Sequence, residues 1–444
     1  MFTKRFLAGY LVCAGMLVAT GCTKNSDDDE FIEPPVSNEL NGTLDADMRL
    51  TADKTWILKG YVYVPDGKTL TIEPGTVIKS DVTQKGALCI ERGGKIMAEG
   101  TADKPIVFTS GKEPGSREPG DWGGVVILGK APTNRTTTAV IEGGLDRVYG
   151  GSDAADNSGV LKYVRIEYAG VAAFPNSEIN GLTLAGVGSG TTIEHIQVSY
   201  GNDDAYEFFG GTVNAKYLIA FGTADDDFDF DYGYTGKIQF GIALRNPAFV
   251  DNGDAGNGIE ADNDGSGTNA EPFTRPTLSN FTFIGPNNAP GTLENHNFGN
   301  RWRRAVRFGL HNSVMLGWQK AGFSMESDAT VEAYKDGHSQ FRNNIVHSNN
   351  ASAIFKSSSA VMDAAAIEAK ALAEGNVKAL STDNILANPF SLTAPDFKPV
   401  AGGPAASGTD FSSLDNYFTP TGFRGAIGDN NWLAGWTRFF ETGQ

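Results

Sequence analysis

A unit of strand-forming residues recurs through the middle of this chain. The position of Tyr200 in one unit is occupied 21 residues later by Phe221, and that of Asp203 is occupied 22 residues later by Asp225. Between them stand apolar runs separated by Gly, Asp and Asn, which is typical of short strands joined by tight turns. A unit of this length cannot bury its own apolar face, so its copies must stack, with each strand paired to its copy about 4.8 Å away. The repeat therefore predicts an all-β fold, a right-handed parallel β-helix.

The N-terminal residues predict export. Lys4 and Arg5 precede an apolar stretch over residues 6–18, which is too short for a retained membrane span and is typical of a cleaved secretory signal. Small residues lead to Cys22 and resemble the lipobox of bacterial lipoproteins. The acidic run at 26–30 resembles the signal that sends Bacteroidetes lipoproteins to the outer face of the outer membrane. We therefore expect lipid attachment at Cys22 and a lipid-anchored protein exposed at the cell surface.

One helix is predicted near the C-terminus, because Asp363 suits a helix start and Gly375 a helix end. Trp432 and Trp436 are expected to pack in a C-terminal cap, since an open solenoid end would expose unpaired strand edges. The predicted organisation is a signal peptide (1–21), a lipid anchor and flexible tether (22–48), a parallel β-helix (49–356), the helix (357–375), and the last strands with the cap (376–444).

Charge and cysteine content narrow the class of protein. The formal net charge of −17 repels nucleic acid and anionic lipid, and it suits cation binding or solubility. No nucleic-acid partner is expected. Of the three cysteines, Cys13 lies in the predicted signal and Cys22 is the predicted lipid site. Cys89 stands alone in a strand-like run, so we expect a small core residue and no internal disulfide.

One kind of strand alternates aromatic and acidic side chains. In 228–231 the phenylalanines share one face and the aspartates the other. The repeat then places Glu207 beside Asp229, with Glu260 one coil further and Arg307 after it. Like charges on adjacent strands are destabilising, so a cation, basic neighbours or raised pKa values must offset them. Three interpretations remain open: a solvated acidic face, calcium bound at Glu207 and Asp229, or catalytic carboxylates.

A second candidate calcium site follows the strand at Glu260. Oxygen donors at positions 1, 3, 5, 9 and 12 of a loop, with Gly at position 6, are the spacing of an EF-hand. This sequence departs from that pattern, because position 1 is Glu, position 8 is Gly267, and no helices are predicted to flank the loop. The alternative is a polar connection. The candidate ligands are Glu260, Asp262, Asp264, Thr268 and Glu271.

The enzymatic and the ligand-binding interpretations rest on two further sets of residues. Paired carboxylates can hydrolyse glycosidic bonds, but no Gly-His-Gly or Arg-Ile-Lys motif accompanies them, and no catalytic residue is assigned outright. Exposed aromatic rings and basic groups can hold sugars, although such rings more often fill gaps between coils. The alternative catalytic residues are Asp203, Asp204, Asp225 and Asp226, and the candidate ligand-binding residues are Trp302, Tyr232, Tyr234 and Arg307.

Several blocks resemble one family along nearly the whole predicted mature chain. They are the strands at 70–79 and 105–110, the Asp-Trp-Gly-Gly motif at 121–124, the segment 203–211, and the ending at 425–437. Together they resemble uncharacterised right-handed β-helix surface lipoproteins of Bacteroidetes and related bacteria. The resemblance implies a fold and a location but no reaction. Members of this class often accompany TonB-dependent outer-membrane transporters, which implies a capture role.

We therefore expect a surface lipoprotein that binds a glycan or another small ligand, beside a TonB-dependent transporter. Its partners would be the outer membrane, through the lipid, and that ligand. The first alternative is a polysaccharide lyase or glycoside hydrolase that uses the acidic strands. The second is a structural or adhesion protein. Calcium is the one cofactor that the sequence suggests.

Overall fold

The computed structural model describes residues 37–136, 138–174, 177–253 and 255–439. Cys22 and the predicted signal peptide lie outside these ranges. Within them, 26 strands join one sheet in which the pairings are parallel, so the predicted parallel β-helix is confirmed. The outlying strands β11 with β12, and β29 with β30, form two small antiparallel pairs.

The strands, in chain order, are β1 (Glu39–Thr43), β2 (Met48–Leu50), β3 (Thr55–Val64), β4 (Thr69–Ile72), β5 (Val77–Ser80), β6 (Leu88–Ile90), β7 (Lys95–Glu99), β8 (Ile106–Thr109), β9 (Val125–Leu128), β10 (Gly159–Glu167), β11 (Ala172–Phe174), β12 (Ser177–Glu178), β13 (Leu182–Ala185), β14 (Thr192–Ser199), β15 (Tyr206–Phe209), β16 (Asn214–Phe221), β17 (Phe228–Asp231), β18 (Lys237–Leu244), β19 (Glu260–Ala261), β20 (Thr277–Ile284), β21 (Arg301–Trp302), β22 (Gly309–His311), β23 (Val314–Trp318), β24 (Phe323–Met325), β25 (Gln340–Arg342), β26 (Ile345–Ser348), β27 (Phe355–Ser357), β28 (Val377–Lys378), β29 (Leu386–Asn388) and β30 (Asp396–Pro399).

Each coil contributes to three parallel ladders. The first runs through β2, β4 and β7, then the first halves of the long strands β10, β14, β16, β18 and β20, and ends at β22 and β25. The second uses β1, β3, β5 and β8, the second halves of the same long strands, and then β23, β26 and β28. The third runs from the end of β3 through β6, β9, β13, β15, β17, β19, β21, β24 and β27.

The first two ladders meet at a corner where one residue per coil has a left-handed backbone. Rings stack there, with centroids 4.2 Å apart for Tyr163 and His195 and 4.3 Å apart for His195 and Tyr217. Left-handed backbone costs a non-glycine residue about 1–2 kcal/mol, and an aromatic pair returns about 0.5–1.5 kcal/mol. The corner residues include Tyr163, His195, Tyr217, Phe240, Asn280 and Asn312, with φ between 50° and 67°.

In the interior of the solenoid, aromatic residues at equivalent positions of successive coils stack on one another. Phe208 lies 5.0 Å from Phe230 between ring centroids, and Tyr206 lies 5.0 Å from Phe228. All four are buried, as the alternation along the strands predicted. Cys89 is also buried and free, which confirms the predicted small apolar role, and burial raises the pKa of its thiol to about 12.

The sheet begins earlier than predicted. β1 pairs with β3 inside the segment 22–48 that was expected to be a tether, with Leu40 opposite Leu58. Both leucines are buried, so this strand belongs to the first coil. Residues 39–43 therefore belong to the solenoid, although they were predicted to lie in the tether. The short polar-apolar alternation of β1 was too brief to stand out from the spacer beside it.

Two α-helices interrupt the later coils, where one was predicted. The predicted helix is α2 (Ala364–Ala373), which begins at Asp363, whose carboxylate accepts the Ala366 N–H at 2.8 Å. Its Ile367 is buried in the main core, so α2 packs over the end of the coils. The additional helix, α1 (Asp328–Lys335), was not predicted, because it has only eight residues and no side-chain cap. Neither helix in the described ranges is long and apolar enough to cross a membrane.

The C-terminal residues follow the length of the solenoid, which differs from the predicted end cap. We call residues 409–439 the strap. It runs along the corner back towards the earlier coils, so that Trp432 lies 5.2 Å from Tyr217 and Trp436 lies 5.7 Å from Tyr163 between ring centroids. The two tryptophans therefore pack on the middle of the molecule. Sequence position alone could not show this, because the contacts join residues that are far apart in the chain.

Carboxamides on the coils hold the strap by its backbone. Gln239 Nε2 donates to the Thr419 carbonyl at 2.7 Å, and its Oε1 accepts the Thr419 N–H at 2.8 Å. Gln197 binds Arg438 in the same way, at 2.5 and 2.8 Å. Both glutamines are buried. Each one therefore satisfies a backbone donor and acceptor that the strap would otherwise bury without partners.

Gln239→Ala removes both hydrogen bonds and strands the backbone groups of Thr419. We expect the free energy of unfolding to fall by about 2–3 kcal/mol, because unsatisfied buried polar groups are costly. Chemical denaturation of the purified chain measures this. The exposed Gln84→Ala is the control and should change stability by less than about 0.5 kcal/mol. Equal effects in the two variants would contradict the role of the strap contacts.

Candidate acidic site

The outer face of the third ladder carries the predicted acidic column. Strands β15, β17 and β19 place Glu207 opposite Asp229 and Asp229 opposite Glu260. This confirms the register that the 22-residue repeat predicted. The next residue in the column is Arg301, so the prediction of Arg307 there is wrong. The strand of that coil is β21, which lies several residues before the run that the sequence suggested.

The column is covered, which overturns the solvated-face interpretation. Glu207 is only 4 % exposed and Glu260 is buried, although both point away from the interior of the solenoid. The segment 131–150, of which residue 137 is outside the described ranges, packs apolar side chains against Phe209 in the same strand as Glu207. Its backbone is also fixed to the next coil by the Asn134 N–H, which donates to the Tyr232 carbonyl at 2.9 Å. A long connection between β9 and β10 thus forms a lid over the outer face of β15, the strand that carries Glu207.

Burial is the main influence on the ionisation of these groups. It raises the pKa of Asp204, Glu207 and Asp229 well above the ordinary range for carboxyl groups, and the neighbouring negative charges raise it further. It also raises the pKa of Glu260 to about 8, although two arginines oppose this. The charged forms of these residues are therefore poorly stabilised by the protein alone.

Two of the alternative catalytic residues have a structural task. Asp204 Oδ1 accepts the Asp226 N–H at 2.8 Å, and Asp226 Oδ1 accepts the Asn257 N–H at 2.6 Å. Asn257 Oδ1 continues the series by accepting the Phe298 N–H at 3.1 Å. We call this series the turn ladder. It satisfies one buried backbone donor per coil with an oxygen from the coil before.

Asp203 and Asp225, the other two alternative catalytic residues, are half-buried beside the turn ladder. Their oxygens gather with those of Asp204, as the repeat predicted for the first two. Among the described residues, carboxylate oxygens lie within 4.8 Å of one another in three sets that could hold a metal ion. These sets are Asp203, Asp204 and Asp225; Asp204, Glu207 and Asp229; and Asp226, Asp229 and Glu260.

Arginines neutralise the far end of the column. Arg301 Nη1 lies 2.8 Å from Glu260 Oε2, and Arg303 also pairs with Glu260. Arg303 Nε lies 2.9 Å from Asp262 Oδ1, and Arg304 binds the same carboxylate. These guanidinium groups stand where the predicted EF-hand loop would need a cation.

The remaining ligands of the predicted EF-hand loop do not converge. Asp264 accepts hydrogen bonds from the backbone N–H groups of Ser266 and Thr268 and from the Thr268 hydroxyl. Glu271 is exposed. Glu260 lies in a strand rather than at the start of a loop. The structure therefore shows a polar connection at 260–271, which was the stated alternative to calcium.

The predicted sugar-stacking residues divide into buried and accessible ones. Trp302 and Tyr234 are fully buried, so their assignment to ligand binding is wrong. The Trp302 ring stacks 4.1 Å from Phe308, and the Tyr234 hydroxyl donates to the Val213 carbonyl at 2.8 Å. Tyr232 is half-buried beneath the guanidinium of Arg135, 4.4 Å from the ring centroid.

Two open depressions lie elsewhere on the surface. Arg307 borders the smaller one, of about 200 Å³, where its guanidinium lies 3.6 Å above the ring of Phe273. The larger one, of about 580 Å³, is lined by residues 288, 289 and 291–295 with Gln319 and Lys320. The Nε2 of Gln319 is buried and has no hydrogen-bond partner among the described residues. No sequence motif marked this larger depression.

Sequence reasoning missed two polar residues near the acids. Asn180 is 2 % exposed, and its Nδ2 lies 3.5 Å from Glu207 Oε2. Arg245 is fully buried and pairs with Asp227 at 3.3 Å. Burial raises the pKa of Asp227 to about 6 against the opposing effect of Arg245. Only the coil register could have indicated either residue.

These features define a class of protein, a three-ladder parallel β-helix with a covered acidic column on one face. The chain matches the pectate-lyase-like beta helix domain over residues 42–387 and belongs to that family. Comparisons with curated proteins and with solved structures found no match.

Arg303→Ala tests whether the arginines stabilise the column. Arg303 contacts both Glu260 and Asp262 and is only 16 % exposed, so its loss takes one of two guanidinium partners from each of two buried carboxylates. We expect the free energy of unfolding to fall by about 2–4 kcal/mol. Arg304→Ala is the matched control, because Arg304 is 42 % exposed and should contribute less than about 1 kcal/mol. Thermal or chemical denaturation distinguishes the two, and a similar effect in both variants would contradict this account.

Proposed function

We propose that the protein is a lipid-anchored protein of the outer-membrane surface that binds glycans, as an accessory to a TonB-dependent transporter. The lipobox-like residues before Cys22 and the acidic run after it support the location. Membership of a pectate-lyase-like family supports a carbohydrate ligand. The negative charge of the chain argues against an anionic nucleic-acid partner.

The larger depression carries this proposal. The residues that line it carry side-chain amides, a hydroxyl, a carboxylate and an ammonium group, on Asn288, Thr292, Asn295, Gln319 and their neighbours. The Thr292 hydroxyl and the Asn295 amide also donate to backbone carbonyls, at 2.6 and 2.8 Å, which fixes their positions. Such planar or directional donors and acceptors fix sugar hydroxyls, and Leu293, which is exposed, offers an apolar contact. The unpartnered Nε2 of Gln319 supplies a donor that a bound sugar would satisfy.

The enzymatic alternative has less support. A lyase or hydrolase acting through the acidic column would need its substrate to reach Asp204 and Asp226. Both are buried, and each already accepts a backbone N–H of the next coil. The more accessible members of the clusters, Asp203 and Asp225, are themselves only half-buried beside them. Burial therefore argues for binding rather than turnover.

Calcium is the cation that we propose for this protein. The acidic sets offer only oxygen donors, which suit hard cations. Calcium accepts irregular sets of six to eight oxygens, whereas magnesium demands near-ideal octahedral geometry. Extracellular calcium-binding modules work at affinities of about 10⁻⁴–10⁻³ M, which fits a protein at the cell surface.

The double variant Gln319→Ala, Lys320→Ala should weaken glycan binding at least about tenfold, because it removes two polar contacts from the larger depression. The measurement is thermophoresis of the purified mature chain against a panel of neutral and acidic polysaccharides. Lys335→Ala, an exposed lysine on α1, is the control and should bind as the unmodified chain does.

Three results would overturn the assignment of glycan binding to the larger depression. One is a loss of binding in Arg307→Ala with none in the double variant, which would move the site to the smaller depression. The second is release of cleaved products during the same incubation, detected as unsaturated or reducing ends, which would favour the enzyme. The third is absence of binding to every polysaccharide, which would favour the structural or adhesion alternative.

Cys22→Ala tests the location. Expressed in a Bacteroidetes host, the unmodified chain should incorporate labelled fatty acid and be digested by protease added to intact cells. The variant should incorporate no label and leave the cell surface, because it lacks the acylated residue. Changing Trp432 and Trp436 to alanine would not test the location, because both tryptophans pack on the coils. Surface protease sensitivity in the unlabelled variant would contradict lipid anchoring.

A further inference from the structure

We propose that Asp204, Glu207 and Asp229, with the side-chain oxygen of Asn180, form a buried binding site for one hard divalent cation, calcium in the first place. The site lies on the outer face of the third ladder, beneath the segment 131–150. It deepens the calcium proposal above and is independent of glycan binding.

Three carboxylates converge here from two consecutive coils. Oxygens of Asp204, Glu207 and Asp229 lie within 4.8 Å of one another, which is close enough for one ion to touch all three. Glu207 and Asp229 are register partners on β15 and β17, and Asp204 lies two residues before β15. Asp229 is half-buried, which leaves the site a route to solvent. One ion would therefore join neighbouring coils by their side chains.

The charge of this set is not balanced by the protein. Among the described residues, no lysine, arginine or histidine nitrogen lies within salt-bridge distance of Asp204, Glu207 or Asp229, whereas Glu260 has both Arg301 and Arg303. The column is therefore compensated at one end only. Buried carboxylates in this state must either bind a cation or take up protons.

Unpartnered oxygens point to the cation. Glu207 Oε1 is buried and has no hydrogen-bond donor among the described residues. The same holds for Oδ1 of Asn180, a residue 2 % exposed whose amide nitrogen reaches towards Glu207 at 3.5 Å. A proton shared between the two side chains would satisfy only one of these two oxygens, because a protonated carboxyl group donates a single hydrogen bond. A metal ion satisfies a neutral carboxamide and a carboxylate in the same way.

The turn ladder does not require the negative charge of Asp204. Asn257 holds the backbone N–H of the following coil with a neutral amide oxygen. Asp204 makes the equivalent bond with one carboxylate oxygen. A charged group is therefore unnecessary for the ladder. Asp204 also makes a side-chain hydrogen bond with Glu207, so the two carboxyl groups are close enough to hold one cation between them.

Metal titration of the mature chain, stripped with a chelator and free of glycan, tests the site. We expect about one calcium ion per chain by calorimetry at pH 7.5, and a rise in melting temperature on the order of 5 °C at saturating calcium. Magnesium should give a weaker response. Asp204→Asn and Glu207→Gln should each lower calcium affinity at least about tenfold, and Asp204→Asn keeps the turn-ladder oxygen, so it should still fold.

Asp264→Asn is the matched control, because Asp264 belongs to the rejected EF-hand loop and lies outside the proposed set. It should bind calcium as the unmodified chain does. Loss of binding in this control alone would place the ion in the loop and overturn the inference. So would a stripped chain whose melting temperature ignores calcium but rises steadily as the pH is lowered, since that is the behaviour of carboxyl groups that hold protons instead. Metal analysis of the purified chain provides a second readout if Glu207→Gln folds poorly.

Discussion

Coil-on-coil pairing in register is the constraint on which the rest of this structure depends. Each strand bonds to its copy in the next coil, so residues about one repeat apart become neighbours in a column. Where the repeated residue is aromatic, the column stabilises the fold, as with Phe208 on Phe230. Where it is acidic, as with Glu207 beside Asp229, the same pairing forces like charges together. One geometric rule thus generates both the core and its least favourable interaction.

The molecule answers that unfavourable interaction differently along the column. At Glu260 two guanidinium groups approach, and the acid retains an effective counter-charge. At Asp204 and Asp226 one oxygen of each carboxylate is used by a backbone N–H of the following coil. The Oε1 of Glu207 has neither a guanidinium partner nor a backbone N–H donor among the described residues. The lid segment then keeps water from Glu207, which increases the consequence of its missing partner.

Periodicity carried the prediction as far as neighbouring coils. It gave the parallel β-helix, the inward aromatic residues, and the pairing of Glu207 with Asp229, because all three follow from the spacing of residues. It could not give the burial of the acids, since the covering segment 131–150 is an insertion with no counterpart in other coils. Arg301 was missed for a related reason: the loop before β21 breaks the spacing. Tyr234 and Trp302 illustrate a third limit, because an aromatic residue near a turn looks the same in sequence whether it faces solvent or the core.

The strap has a consequence for how such a protein can vary. Solenoids ordinarily gain or lose repeats with little penalty, since each unit touches only its neighbours. Here Asn312 binds Asp410, Gln239 binds Thr419, and Gln197 binds Arg438, so one extended segment is matched to several successive coils at once. Inserting or deleting a coil between them would shift every later anchor by one strand spacing. The strap therefore acts as a ruler that fixes the number of coils, and the length of this solenoid is set by its last residues.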